Sequence, residues 1–358
     1  MTNKFLGWYT LLLVLACGAL SGLVVGQESA ETGPKRMYVT LPPRYFSNVL
    51  PPATGTVTNW SGSFTTMNKT YNFSMVGTNP ATTNTSTTVT VYIIPVKVIV
   101  SGSTFDPANT VSNVTTSPIF TSGIDFVQGG TDLGKTQYVD AFQRGNFWTN
   151  VKVNTGYHVL LNPVVLSEQT FNVPKHDGSI GNPFGFGNVG IVNINWFDAQ
   201  LQSVISGMSQ ITPNSFAIAM TYKIYLSNNS KVSGCCIGGY HSAFGSTSAP
   251  QTYGHFTYIP VRNQFSQDVS ALSHEAGEWM DDPFVNNSAP SLGGCGGILE
   301  VGDPLENNPN FGDYAYSLNG FTYHLQDLVF LDYFSGDNSL QVNGWFSFQN
   351  NKTGGQCS

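Results

Sequence analysis

The run SQDVSALSHEAGEWMDDP, residues 266–283, decides how this chain is read. It predicts one helix that Pro283 ends. At about 100° per residue, Val269, Leu272, Ala276, Trp279 and Met280 share one stripe, the expected buried face. His274 and Glu278 are four apart and therefore neighbours on the same side; Glu275 sits about 100° round from His274. This is the layout of HExxH zinc hydrolases, with Glu in place of the second His. In that scheme the i and i+4 residues bind Zn²⁺. The intervening Glu takes a proton from a metal-bound water, whose pKa the metal lowers from about 15.7 toward about 7. Carboxylate oxygen is an accepted zinc ligand. With 6 His and 7 Glu in the chain, a chance HExxE is expected about 0.002 times. The competing reading is a solvated polar face, because helices accept Glu readily at exposed positions.

A zinc site needs a third protein ligand. Downstream comes GGCGGILEVGDPLENN, residues 293–308, where Glu300 and Asp303 lie 22 and 25 positions beyond Glu278. Flanking glycines suit a loop that folds back on the helix, and Asp303 is favoured narrowly over Glu300. The competing reading of Gly-Asp-Pro is an ordinary turn. His241 in GGYHSAFG and His255 in YGHFTYIP precede the helix. Each is read as a ligand, as a proton donor to an oxyanion, or as a hydrogen-bonded structural histidine. His324 is expected in a late helix, FTYHLQDLVFL, and His158 and His176 are read as structural.

Charge points the same way. From 263 to 351 there is no Lys or Arg, and 12 acids stand there; the rest of the chain carries 14 bases and 9 acids. Folding gathers those acids without a local cation, and crowded carboxylates raise one another's pKa or recruit a counterion. The 358 residues are only 10% charged and 41% hydrophobic, with 24 Phe, 16 Tyr and 6 Trp. That composition excludes a disordered chain. A net charge of −7 argues against nucleic acid as a partner.

Residues 5–25 are almost wholly apolar and follow a short basic start, so 1–26 reads as a secretory signal peptide, with Val24 and Gly26 at −3 and −1. The same run is also long enough for an uncleaved anchor, and no second such stretch exists. The expected location is secreted, periplasmic or cell-surface. Export permits disulfides. A bond between adjacent cysteines is rare, so Cys235 and Cys236 are expected to reach Cys295 and Cys357 in unknown order.

Residues 27–55 read as a Pro-rich linker or wrapping arm. TVTNWSGSF, KTYNFSMVG and TTVTVYIIPVKVIV read as strands, with Pro95 implying a bulge or an edge. TQYVDAFQRGNFW (136–148) and WFDAQLQSVISGM (196–208) read as helices. YHVLLNPVVL, GIVNIN, SFAIAMTYKIYL (215–226) and GHFTYIPV read as strands. Helices and strands interleave without regular βαβ units. The expected fold is α+β: a zincin-like mixed domain over 131–358 with an active-site helix, preceded by a β-rich portion at 27–130, either its extension or a separate subdomain.

The segments CCIGGYHSAFG, YGHFTYIPV, SQDVSALSHEAGEWMDDPFVNN and LEVGD together resemble two related groups. One is the plant EXORDIUM, or phosphate-induced, family of secreted proteins. The other is a set of bacterial secreted HExxE proteins of unassigned function. The tail VNGWFSFQNNKTGGQCS is similar to theirs as well. The resemblance covers roughly 190–358, and more weakly 89–148. It implies His274, Glu275 and Glu278 as a zincin-like core completed by Asp303 or Glu300. The chain departs from the pattern where adjacent Cys235 and Cys236 replace CxxC, and where Met280 and Asp281 replace a β-branched residue and Thr.

Two functions follow as expectations. The first is a secreted zinc metallohydrolase, a peptidase acting on polypeptide or cell-wall substrate, with Glu275 as base and His241 assisting. The second is a non-catalytic cell-surface module that binds glycan or protein around a structural metal. There the hard oxygens of Asp281, Asp282 and Asp303 suit Ca²⁺ as an additional or alternative ion. No G-x-S-x-G elbow supports a serine hydrolase.

Overall fold

The apolar runs near 90 and 218 become the middle of a mixed eleven-stranded sheet. The computed structural model describes residues 36–40, 55–291, 297–336 and 342–351. The leader at 1–26, Cys295, Cys357 and residues from 352 onward lie outside the described residues.

In chain order, β1 is Met37–Thr40, and β2 (Asn59–Thr66) and β3 (Lys69–Val76) form a hairpin. β4 (Ser86–Val100) and β5 (Ser103–Phe105) follow, then the short helix α1 (Val111–Thr115) and the pair β6 (Ile124–Gln128) and β7 (Thr131–Thr136). Helices α2 (Tyr138–Asn146) and α3 (Trp148–Val151) lead to β8 (His158–Val165), β9 (Gln169–Asn172), β10 (Gly178–Gly181) and β11 (Val189–Asn193). Helix α4 (Ile194–Gly207) precedes β12 (Ser215–Tyr222), β13 (Ile224–Ser227), β14 (Cys235–Ser246) and β15 (Ala249–Tyr258). The chain then forms α5 (Ser270–Asp281), the hairpin β16 (Asp313–Leu318) and β17 (Phe321–Gln326), and α6 (Leu331–Ser335). The main sheet runs β10-β11-β13-β14-β15-β12-β4-β5, with β1 on β14 and both β8 and β9 on β4. The fold is α+β. Because β4 pairs with β12 and β1 with β14, the strands β1, β4 and β5 share one sheet with the later chain, whereas β2–β3 and β6–β7 form separate pairs.

β12 is buried on both faces, which is why it reads as a continuous apolar run. Phe216, Ile218 and Met220 join a core with Leu272 and Trp279 of α5, while Ala217 and Ala219 join Phe197 and Leu201 of α4. The rings of Phe216 and Trp279 stack at 4.4 Å, seating α5 on its face of the sheet.

Several expectations are corrected. Pro95 makes neither bulge nor edge. β8 pairs with β4 up to Ile93 and β9 takes over from Val96, so the missing N–H falls between two partners. The strand expected over 215–226 breaks at Lys223, which has φ 54°. The helix at 136–148 divides at Phe147 into α2 and α3. α5 starts at Ser270 because Ser266 and Asp268 sit at φ 59° and 40°, outside helical space. His324 lies in a strand, β17, and pairs with Asp268 at 2.7 Å. Cys235 and Cys236 are bonded to each other, not to distant partners. The peptide joining these two is cis, with the Cα atoms 3.0 Å apart.

Candidate metal centre

Every residue of α5 is buried, including its polar stripe. A solvated helix face is therefore excluded. One side packs on the sheet. The other is closed by β17, by the end of β14 and by the segment carrying Glu300 and Asp303. That segment is tied down by backbone bonds from Leu299 to Asn287 (2.9 Å) and from Val329 to Val301 (2.8 Å).

His274 Nε2 lies 3.0 Å from Glu278 Oε2 and 3.6 Å from Asp303 Oδ1. The short contact is not aligned as a hydrogen bond, so Nε2 is buried with no hydrogen-bond partner. The other ring nitrogen, Nδ1, faces Gln326 Oε1. The Gln326 amide is oriented in turn, because its Nε2 donates to the Phe311 carbonyl at 3.1 Å. With Nδ1 as the donor, the lone pair belongs to Nε2, on the side of Glu278 and Asp303. These three ligating atoms lie within 4.8 Å of one another. Gly302 makes room, since a Cβ there would collide with the His274 ring. Its N–H also donates to Glu278 Oε1 at 3.1 Å.

A second group shares Glu278. His241 Nδ1 stands 3.3 Å from Glu275 Oε2 and 3.7 Å from Glu278 Oε2. Its Nε2 is 3.3 Å from the Asp282 carbonyl. His241 thus belongs with Glu275 and Glu278, not with the group of His274, Glu278 and Asp303. Glu275 Oε1 is buried without a partner and packs over Gly239, where a Cβ would stand 2.6 Å from it. Glu300 reaches the same place, its carboxyl facing that of Glu278. Both Glu300 oxygens are buried with no hydrogen-bond partner. His255 is directed elsewhere. It packs on Phe197 of α4 at 4.7 Å, and its Nε2 meets Thr221 Oγ1 at 2.9 Å.

Burial drives the electrostatics. It lifts Glu275, Glu278 and Glu300 well above the carboxylate range, with neighbouring acids adding to the rise. Asp303 is pushed up by burial to about 6, against the pull of His274. Burial pushes His274 down to about 4 and His241 to about 3. Both imidazoles are therefore neutral, with a lone pair to give, and the carboxyls keep protons unless a cation takes their place.

Four other acids of the base-free stretch have donors. Asp281 accepts from Gln143 and from Asn146 (3.2 Å). Asp282 accepts the N–H groups of Asn286 (2.9 Å) and Asn287 (3.1 Å). Asp313 accepts from Ser270 (2.7 Å), and Asp327 from the N–H of Gln349 (2.8 Å). The donor-poor acids are those gathered around the two imidazoles. That donor set, one imidazole nitrogen with two carboxylate oxygens, fits zinc. Gln326, Gly302 and Gly239 carry no sequence signal of their own. Only reading FTYHLQ as alternating strand, instead of helix, would have placed Gln326 near the site.

Comparison with protein-family models, curated proteins and solved structures finds no match to this chain.

Proposed function

We propose that this chain is an exported, zinc-dependent hydrolase of zincin-like architecture acting on polypeptide. The observation that carries the reading is the buried, unpartnered Nε2 of His274, flanked by Glu278 and Asp303. His274, Glu278 and Asp303 would hold the ion, with Glu300 against Glu278. Bound zinc supplies Lewis acidity that makes a water nucleophilic near neutral pH. Glu275 takes the proton of the attacking water on Oε2 and passes it to the leaving amine. His241, whose Nε2–H is given to the Asp282 carbonyl, would face Glu275 Oε2 with its Nδ1 lone pair and accept a hydrogen bond from that oxygen whenever Glu275 carries the proton. Gln326 fixes the His274 tautomer. The expected apolar leader and the disulfide among the described residues support export to an oxidising compartment. Among the described residues no helix is long and apolar enough to cross a membrane.

The experiment is metal analysis of the purified protein beside His274→Ala. Near one equivalent of zinc, lost in the variant, is expected; below about 0.2 equivalents in the parent the reading fails.

The second reading is a non-catalytic binding module for glycan or protein. An aromatic-lined cleft of Trp60, Phe64, Phe73 and Phe147 with the amides of Asn79 and Asn150 favours it. Of its three expected calcium ligands, Asp281 and Asp282 are occupied by amide donors and belong to no ligand group among the described residues, whereas Asp303 stands with His274 and Glu278. Glu275→Gln separates the two. Retained zinc with hydrolysis of unfolded casein reduced by about 10²–10⁴ supports the enzyme. A parent protein with no hydrolysis to lose supports the module.

A further inference from the structure

Among the described residues β1 pairs with β14 and with no other strand. It runs parallel to it, with Met37 opposite Ile237, Val39 opposite Tyr240 and Thr40 opposite His241, and the register slips between Met37 and Val39. Four residues with one partner and a slipped register make a weak strand. What holds it is Tyr38, which is 3% exposed, whereas Met37 and Val39 are half-buried.

Tyr38 fills a shaped slot. Its ring lies 4.1 Å from the His274 ring and 4.8 Å from Phe265. Its hydroxyl meets Ser270 Oγ at 3.2 Å and Ser266 Oγ at 3.4 Å. Its backbone N–H donates to Glu306 Oε1 at 2.7 Å. Gly238 clears the space, since a Cβ there would stand 2.8 Å from the Tyr38 ring. The paired glycines of CCIGGYH thus have separate duties, Gly238 for Tyr38 and Gly239 for Glu275.

We infer that the stretch of β14 from Ile237 to His241, on the side away from β15 where the pairing with β13 ends, together with the slot over His274, is a binding site for an extended polypeptide segment bearing an aromatic side chain, and that β1 is the chain's own segment seated there. An open strand edge offers unpaired N–H and C=O groups to any extended chain, and one side-chain slot sets preference. The seated strand ends beside His241 and its tyrosine lies on His274, so a polypeptide in this place runs along the candidate metal centre. The inference rests on the hydrolase reading for calling that polypeptide a substrate. A tethered strand competes at an effective concentration of about a millimolar, so β1 masks weaker free segments while it is seated.

The test uses the full chain, Val39→Pro and Tyr38→Ala, with a dye-labelled peptide Arg-Met-Tyr-Val-Thr, the sequence of residues 36–40, as probe. Proline cannot donate into the ladder, and alanine empties the slot, so the two variants loosen β1 by different routes. Circular dichroism verifies folding, and either folded variant suffices. Anisotropy is expected to show binding at least about tenfold tighter than to the parent chain, lost when the peptide carries Ala for Tyr. Equal binding by parent and variants, or indifference to the Ala peptide, overturns the inference and leaves β1 a permanent structural strand. Zinc measured on the same samples reports separately. Peptide gain without zinc keeps the docking edge and removes the hydrolase; zinc without peptide gain does the reverse.

Discussion

Gln326 holds His274 by Nδ1 through its Oε1, and its own amide is aligned by the Phe311 carbonyl at 3.1 Å. The relay runs from a loop residue at φ 60°, an unusual conformation for Phe, to the imidazole of the candidate ligand. Gln326→Leu leaves all proposed ligands in place but frees the ring to rotate and exchange tautomers. Zinc affinity, read by competition with a chelator, is expected to fall about 10–100-fold. Unchanged affinity would mean that the ring is held by packing alone.

Asp303 and Glu300 are distinguishable by where they stand. Asp303 is within ligand distance of both His274 and Glu278, whereas Glu300 faces Glu278. Asp303→Asn is expected to lose most bound zinc, and Glu300→Gln to retain it. Titration of the two variants with zinc checks this. Loss only in Glu300→Gln would exchange the roles.

Gly302→Ala places a methyl group against the His274 ring, with the backbone on either side fixed by Glu278 and by Val329. The cost is expected at about 1–3 kcal/mol in urea unfolding, together with weakened zinc binding. A variant as stable as the parent would show that the loop shifts freely.

Asp281 is buried between amides, and burial pushes its carboxyl up to about 7 despite the hydrogen bonds of Gln143 and Asn146. The unfolded chain releases this proton near 3.8, so between 3.8 and about 7 unfolding releases a proton. The contribution is full below the lower value and is lost as pH rises through the upper one. Asp281→Asn should remove this descending slope, at most about 1.4 kcal/mol per pH unit. Parallel slopes for parent and variant from about pH 4 to about pH 8 would contradict it.

The helix and its ligand spacing were legible in the sequence because periodicity and chemistry coincide there: four residues bring His274 and Glu278 to one side whatever the surroundings. The return of Asp303 was legible only as a loop flanked by glycines. The change of partner at Pro95, the break at Lys223 and the strand at His324 were not, because each is settled by which neighbour supplies the next hydrogen bond. The adjacent cystine was missed because residue type and spacing do not decide which thiols pair.

Glu278 sends one oxygen to Gly302 and the other toward both imidazoles, so helix and returning loop complete the cage together. In the group of His274, Glu278 and Asp303 the helix supplies two donors and the loop the third. This fixes a chronology. On the proposed reading of the chain as exported, the polypeptide crossing a membrane in extended form would present only scattered, feeble chelators to the ions it passes. Capture comes last, after the loop has docked, so refolding followed by stopped flow should show zinc uptake trailing helix formation; simultaneous uptake would mean that the helix alone recruits the ion.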